Sequence, residues 1–248
     1  MIILCGGEKG GSAKSTTAIN LSGELAYLGY KVGLLDADKK TSAKNWVLTR
    51  ESLQNYLETG EILAPLDIED IQDIPKQVMA NLKKNGLKSI EGKNSTGEII
   101  DTIVAMNDRN DFLIIDVGGG DTVEFRLALG MCDMAIIPLK PSILDYDTVP
   151  KLIRILKLNQ AARPKVKVKT LISDAPTAPA SNVTRKFKKA LSETAMLSNV
   201  FKTVIKNRDS YKECLNYGLS VRDWKDSSAK AEFSMLAQEC FDEIKEGK

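Results

Sequence analysis

The stretch CGGEKGGSAKST, residues 5–16, sets a glycine-rich loop between the apolar run MIIL and a segment with helical spacing. A loop that leaves a strand and opens a helix this way commits the chain to a strand, loop, helix unit, which must bury its strand in a sheet. In STTAINLSGELAYLG, Ala18, Leu21, Leu25 and Leu28 share one helical face, and Gly29 supplies the stop. The alternation continues. KVGLLDAD, DFLIIDVGG, DMAIIPLKP and VKVKTLISD each read as an apolar strand, separated by amphipathic segments. Near-continuous apolar strands alternating with helices predict an α/β fold, a mostly parallel twisted sheet flanked by helices on both faces. One domain covering residues 1–248 suits a chain of this length.

Between residues 50 and 111 the pattern weakens. DIEDIQDIPKQVMANLKKNG reads as helical with a break at Pro75, EGKNSTG as a surface loop, and Glu98 to Asn107 as a helix. The end of the chain puts Phe233, Leu236, Ala237, Cys240, Phe241 and Ile244 on one helical face. Its apolar runs are too short to span a bilayer, and no basic leader or small-residue cleavage site opens the chain, so a cytoplasmic protein is expected. Cys5, Cys132, Cys214 and Cys240 lack paired spacing, which indicates neither a zinc site nor a disulfide framework. The chain holds no histidine, which excludes imidazole bases, Ser/His/Asp triads and histidine metal ligands.

The loop has its own chemistry. Gly10 and Gly11 let the backbone N–H groups converge on an anion, Lys14 stands where a side chain reaches β- and γ-phosphates, and Ser15 offers a hydroxyl to Mg²⁺ at the helix start. The strict pattern G-x-x-x-x-G-K-[ST] is not met, since Glu8 replaces its first glycine and Ala13 its second. What matches instead is KGGSAKST, which resembles the deviant Walker A loop of the ParA/MinD family of P-loop ATPases, K-G-G-x-G-K-[ST]-T. Lys9, Gly10, Gly11, Lys14, Ser15 and Thr16 fit it; Ala13 departs.

The resemblance implies that Gly10, Gly11, Ser12, Ala13, Lys14, Ser15 and Thr16 bind ATP. It also implies that Lys9 reaches the ATP of a second subunit, so that nucleotide binding and dimerisation become one event. By position, Asp38 in LLDAD matches the switch I aspartate that orients the attacking water, although the family continues Pro-Gln where this chain has Lys39 and Lys40. Asp116 in FLIIDVGGGD matches the carboxylate that holds Mg²⁺ together with Ser15 and Asp38, and Gly118 to Gly120 match switch II. Lys9, Lys14, Asp38 and Asp116 are thus the expected catalytic group, with ATP and Mg²⁺ as cofactors. IIPLKPSILDYDTV and NRDSYKECLNYGLSVRDWKDSSAKAEFSMLAQE extend the likeness, which is to the small partition ATPases without an N-terminal helix-turn-helix domain.

Charge points to the partner. Residues 151–212 hold 15 Lys and Arg against 3 Asp and Glu, a local charge of +12, while the whole chain carries +2. In TRKFKKAL, Phe187 and Leu191 are expected inward and Arg185, Lys186, Lys188 and Lys189 outward; with Arg208 these are the expected DNA-binding cations. The alternating lysines of KVKVK read as protection of an edge strand. Residues 226–248 carry a net charge of −3, which argues against a basic lipid-binding helix and hence against a membrane partner. The expected function is ATP-dependent DNA segregation by an ATP-bound homodimer that binds DNA non-specifically at the nucleoid and hydrolyses ATP when a DNA-bound centromere adaptor stimulates it. The alternatives are a relative that positions a protein complex, or a metabolic or reductive enzyme on the same scaffold, such as a nitrogenase iron protein relative.

Overall fold

The computed structural model describes residues 1–95, 97–162, 165–177 and 182–245. Along the chain run β1 (Ile2–Cys5), α1 (Lys14–Tyr27), β2 (Val32–Ala37), α2 (Ser42–Thr59), α3 (Ile68–Asp73), α4 (Lys76–Asn85), β3 (Glu91–Asn94), α5 (Ile99–Asn107) and β4 (Phe112–Val117). After these come α6 (Val123–Met131), β5 (Met134–Leu139), α7 (Ile143–Tyr146), α8 (Val149–Ala162), β6 (Lys167–Ala175), α9 (Asn182–Ser192), β7 (Val200–Lys206), α10 (Ser210–Glu213) and α11 (Ser227–Lys245). The strands form one sheet in the order β3-β2-β4-β1-β5-β6-β7, and every neighbouring pair is parallel. The expected α/β architecture is the one observed.

Two apolar layers hold the sheet. One includes Leu21 and Leu25 of α1, Trp46 and Leu53 of α2, and Phe233 and Leu236 of α11; the other includes Ile103 of α5, Phe125 and Leu129 of α6, and Leu152 of α8. Helix α1 is buried almost all round because α11 and the chain before it cover its outer side: Asn20 Oδ1 accepts Val221 N at 2.8 Å, and Glu24 Oε1 accepts the Ser234 hydroxyl at 2.6 Å. Leu28, expected on the inner face, is 48 % exposed because the helix has already ended at Tyr27. Phe233, Leu236, Ala237 and Cys240 are buried as their spacing predicts, so α11 spends its apolar face on the core. No helix among the described residues is long and apolar enough to cross a membrane.

Two local expectations need correcting. Residues 91–94 are not a loop but the edge strand β3: Gly92 lies so close to Val47 of α2 that a Cβ would stand 2.4 Å from Val47 Cγ1, and pairing with β2 overrides the segment's polar composition. VFKTVIK forms the other edge strand, β7. KVKVK does not protect an edge, since β6 lies between β5 and β7. Lys167 and Lys169 are held instead by Glu243 of α11: Lys169 is 5 % exposed, donates to Glu243 Oε1 at 2.6 Å and lies over the Phe201 ring. The side chain of Ile244, together with Arg163, Glu246 and Lys248, lies outside the described residues.

Candidate functional site

Sheet register assembles the site. Asp116 pairs with Cys5 on one side and with Asp36 on the other, so the ends of β1, β2 and β4 finish level, and ligands of open α/β sheets sit beyond such strand ends. Residues 6–13 leave β1 there. Gly11 has φ +76°, and Ala13, which immediately precedes α1, has φ +67° and ψ 27°. That left-handed conformation is where the family pattern puts glycine, and it strains an alanine by about 1–2 kcal/mol. Glycine in turn loses about 0.4–1 kcal/mol through its freer unfolded chain. Ala13→Gly is therefore expected to stabilise the nucleotide-free protein by about 0.5 kcal/mol, read as a thermal midpoint about 1–2 °C higher.

Lys14 is 6 % exposed, and its Nζ donates to the Lys9 carbonyl at 2.8 Å, a bond also shared by the Ser12 hydroxyl at 3.1 Å. Burial holds its pKa below the usual lysine value, while Asp116 and Asp38 pull it back up. The Ser173 hydroxyl of β6 donates to the Ser12 carbonyl at 3.0 Å and ties the loop to the sheet. Asp116 is fully buried, and beyond the neighbouring Ser15 hydroxyl its carboxylate oxygens have no hydrogen-bond donor among the described residues. Burial pushes its pKa up to about 7, with the Asp36 charge adding to the rise and Ser15 and Lys14 opposing it. A buried carboxylate left open beside the Ser15 hydroxyl fits Mg²⁺, which keeps several waters and takes phosphate oxygens. Among the described residues no cluster of three or more acidic, Cys or His ligands exists; Asp38, the third expected ligand, lines the cleft while Asp116 does not.

The two aspartates of LLDAD divide their roles. Asp36, fully buried, accepts Asp38 N at 2.9 Å and Lys44 N at 2.9 Å and so fixes the turn. Asp38 is half-buried, lines the cleft and accepts Lys40 N at 3.1 Å. Switch II closes against both loops: a Cβ on Gly118 would stand 3.1 Å from Asp38 Oδ1, and one on Gly119 only 2.7 Å from Gly10 N. Only glycine fits at 119. Lys9 turns to its own chain, 3.5 Å from Oδ2 of Asp145, a carboxylate 1 % exposed that also accepts the Ser142 hydroxyl at 2.7 Å.

A cleft of about 560 Å³ runs from Gly10, Gly11 and residues 13–16 past residues 38–40, Gly118 and Gly119. Its far side, missed by sequence reasoning, is formed by Lys140, Asp174, Asn207 and Tyr211. Lys140 and Asp174 pair at 2.5 Å, and Asp174 has φ +52°. The available signal was position alone, since each lies just past the carboxyl end of β5, β6 or β7 or within a few residues of it. Arg208 lines this cleft and does not join the other expected DNA-binding cations: its Nη2 and Nε bond Glu232 Oε1 at 2.7 and 3.1 Å. Those others stand on α9, with Arg185, Lys186 and Lys189 exposed and Lys188 bonded to the Phe201 carbonyl at 3.1 Å; Phe187 and Leu191 are buried beneath them. Cys132 is fully buried, its thiol donating to the Leu129 carbonyl.

The family description ATPase MipZ matches residues 1–216. The chain is 26 % identical to Protein ParA of Rhizobium radiobacter over 144 residues, 58 % of this chain and 50 % of that protein, so the alignment spans about half of that relative. It is 24 % identical to Maintenance of carboxysome distribution protein A of Halothiobacillus neapolitanus over 214 residues, 86 % of this chain and 82 % of that one. Among solved structures, the septum site-determining protein MinD complexed with Mg-ADP from Pyrococcus horikoshii superposes with a TM-score of 0.62 at 18 % identity, over 96 % of this chain and 95 % of that one. That likeness is one of fold.

Proposed function

The chain belongs to the MipZ family of ATPases, of the ParA/MinD type, and from that premise we propose that it is an ATP-dependent DNA segregation ATPase whose ATP-bound homodimer binds DNA without sequence preference. The loop N–H groups and Lys14 take the phosphates of ATP, and Ser15 and Asp116 take Mg²⁺. Held there, Mg²⁺ would supply charge neutralisation for the transferred phosphoryl group. Asp38, held against Gly118, orients the attacking water. Lys9 exchanges its own Asp145 for the phosphates of the facing copy, where a cation in a water-poor interface stabilises the developing charge. A DNA-bound centromere adaptor stimulates hydrolysis, the dimer parts, and the chain leaves the DNA. The site is cytoplasmic and nucleoid-associated on this reading.

The observation that carries the DNA assignment is α9. It contains Arg185, Lys186, Lys188 and Lys189 and no acid, and Arg185, Lys186 and Lys189 face solvent. Such a face offers cations to the phosphates of a polyanion without reading its sequence. Replacing Arg185, Lys186 and Lys189 together by glutamate is expected to reduce affinity for random-sequence duplex DNA at least ten-fold and to flatten its salt dependence, with ATP affinity unchanged. Unchanged DNA binding in that variant would remove α9 from the interface.

A second reading keeps the same ATPase cycle with a protein complex as cargo. It is favoured by the breadth of the match to the carboxysome distribution protein, which covers more of both chains than the ParA match does. The cargo alone separates the two.

A further inference from the structure

Where the family pattern continues Pro-Gln after Asp38, this chain has Lys39 and Lys40. The turn that carries them is firmly held. Asp38 N and Lys44 N both donate to the buried Asp36 carboxylate at 2.9 Å. Lys40 N donates to Asp38 Oδ1, and Thr41 N to the Asp38 carbonyl, each at 3.1 Å, with Thr41 at φ +54°. Both lysines line the nucleotide cleft at the end formed by Gly10, Gly11, Lys14 and Asp38.

The cleft's cations fall into two groups. On the far side Lys140 is paired with Asp174 and Arg208 with Glu232, while Lys206 and Lys212 line the cleft without an ion pair among the described residues. At the phosphate-loop end, neither Lys39 nor Lys40 makes an ion pair among the described residues, and Lys14 bonds only a carbonyl. The charge of Lys40 reaches Lys14, where it works against the ammonium form. Cations gathered in a concave site on a fixed turn repel one another until an anion joins them.

We propose that Lys39 and Lys40 bind the terminal phosphate of a nucleoside triphosphate in cis, so that a single copy of this chain distinguishes ATP from ADP before any second copy supplies Lys9. The inference rests on the nucleotide reading above and adds to it a residue pair that the family pattern lacks. Lys40 shares its turn with Asp38 and is bonded to it, so an anion drawn to Lys40 also fixes the carboxylate. Lys40 thereby acts as a positioning residue for Asp38.

The test is calorimetric binding of AMPPNP and of ADP, each with Mg²⁺, to Lys9→Ala protein and to the same protein carrying Lys39→Gln, Lys40→Gln or both. The Lys9→Ala background removes any cation from a second copy. The double substitution is expected to weaken AMPPNP about ten-fold or more and ADP less than about three-fold, as loss of a charge-assisted contact to one phosphate requires. Lys40→Arg is expected to retain the discrimination. Equal losses for both nucleotides, or no loss for either, would overturn the proposal while leaving the ATPase reading in place. A parent protein that binds neither nucleotide overturns that reading, and this proposal with it.

Discussion

Lys14→Ala is expected to leave the chain folded and to lower its affinity for ATP by at least two orders of magnitude. Lys14 opens α1 inside the phosphate loop, 6 % exposed, with its ammonium held by a single carbonyl acceptor, that of Lys9. A group in that setting exchanges one neutral acceptor for phosphate oxygens, and charge-assisted contacts of this kind are worth about 1.5–3 kcal/mol each. Two of them account for about 3–6 kcal/mol, a factor of about 100 to 10,000. The loss also falls on Asp116, whose pKa of about 7 is already raised by burial and which Lys14 helps to keep ionised. The variant therefore loses a phosphate ligand and weakens the carboxylate that faces the metal. Calorimetry with ATP and Mg²⁺ measures the affinity, and circular dichroism establishes that the sheet survives. ATP binding within ten-fold of the parent would mean that phosphates do not occupy this loop.

Lys9→Ala separates binding from assembly. The variant is expected to bind ATP as a monomer with little change and to lose the ATP-dependent dimer entirely. In the single chain Lys9 is 34 % exposed and lies 3.5 Å from Asp145, a long and partly solvated contact that a stronger anion can replace at small cost. Its backbone serves the loop in a different way: the Lys9 carbonyl accepts Lys14 and Ser12, and that acceptor survives truncation of the side chain. Sedimentation velocity with ATP and Mg²⁺ gives the answer directly. A Lys9→Ala protein that still pairs with ATP would show that the ammonium has no role across the interface.

How much of this was legible in the sequence depended on how local the signal was. The strands β1, β2, β4 and β5 are short apolar runs bounded by turn residues, and each was readable because a strand buried on both faces needs no neighbour to announce it. β3 was not, since EGKN carries no apolar side chain and becomes a strand only because β2 offers a free edge and Val47 needs a neighbour without a Cβ. The burial of Lys169 was invisible for a related reason, because its acid, Glu243, lies 74 residues away.

Within the site, Gly10, Gly11, Lys14, Ser15, Asp38 and Asp116 follow from a motif and two strand ends, and the structure brings them around one cleft or, for Asp116, directly behind it. What the spacing could not separate was Asp36 from Asp38. Register and hydrogen bonding do so, giving the first to the turn and the second to the cleft. The partnership of Lys9 with Asp145 spans 136 residues and left no pattern to read. Arg208 shows the opposite failure: it counted toward a basic segment, yet Glu232 claims its guanidinium inside the fold.

On the proposed function, ATP converts this chain into a form that holds DNA. The most direct test is binding to random-sequence duplex DNA with ATP, with ADP and without nucleotide, each across a salt series. The account predicts tight binding with ATP only, with log affinity falling steeply against log salt concentration because α9 meets several phosphates. Equal binding in all three nucleotide states, or none in any, would contradict it.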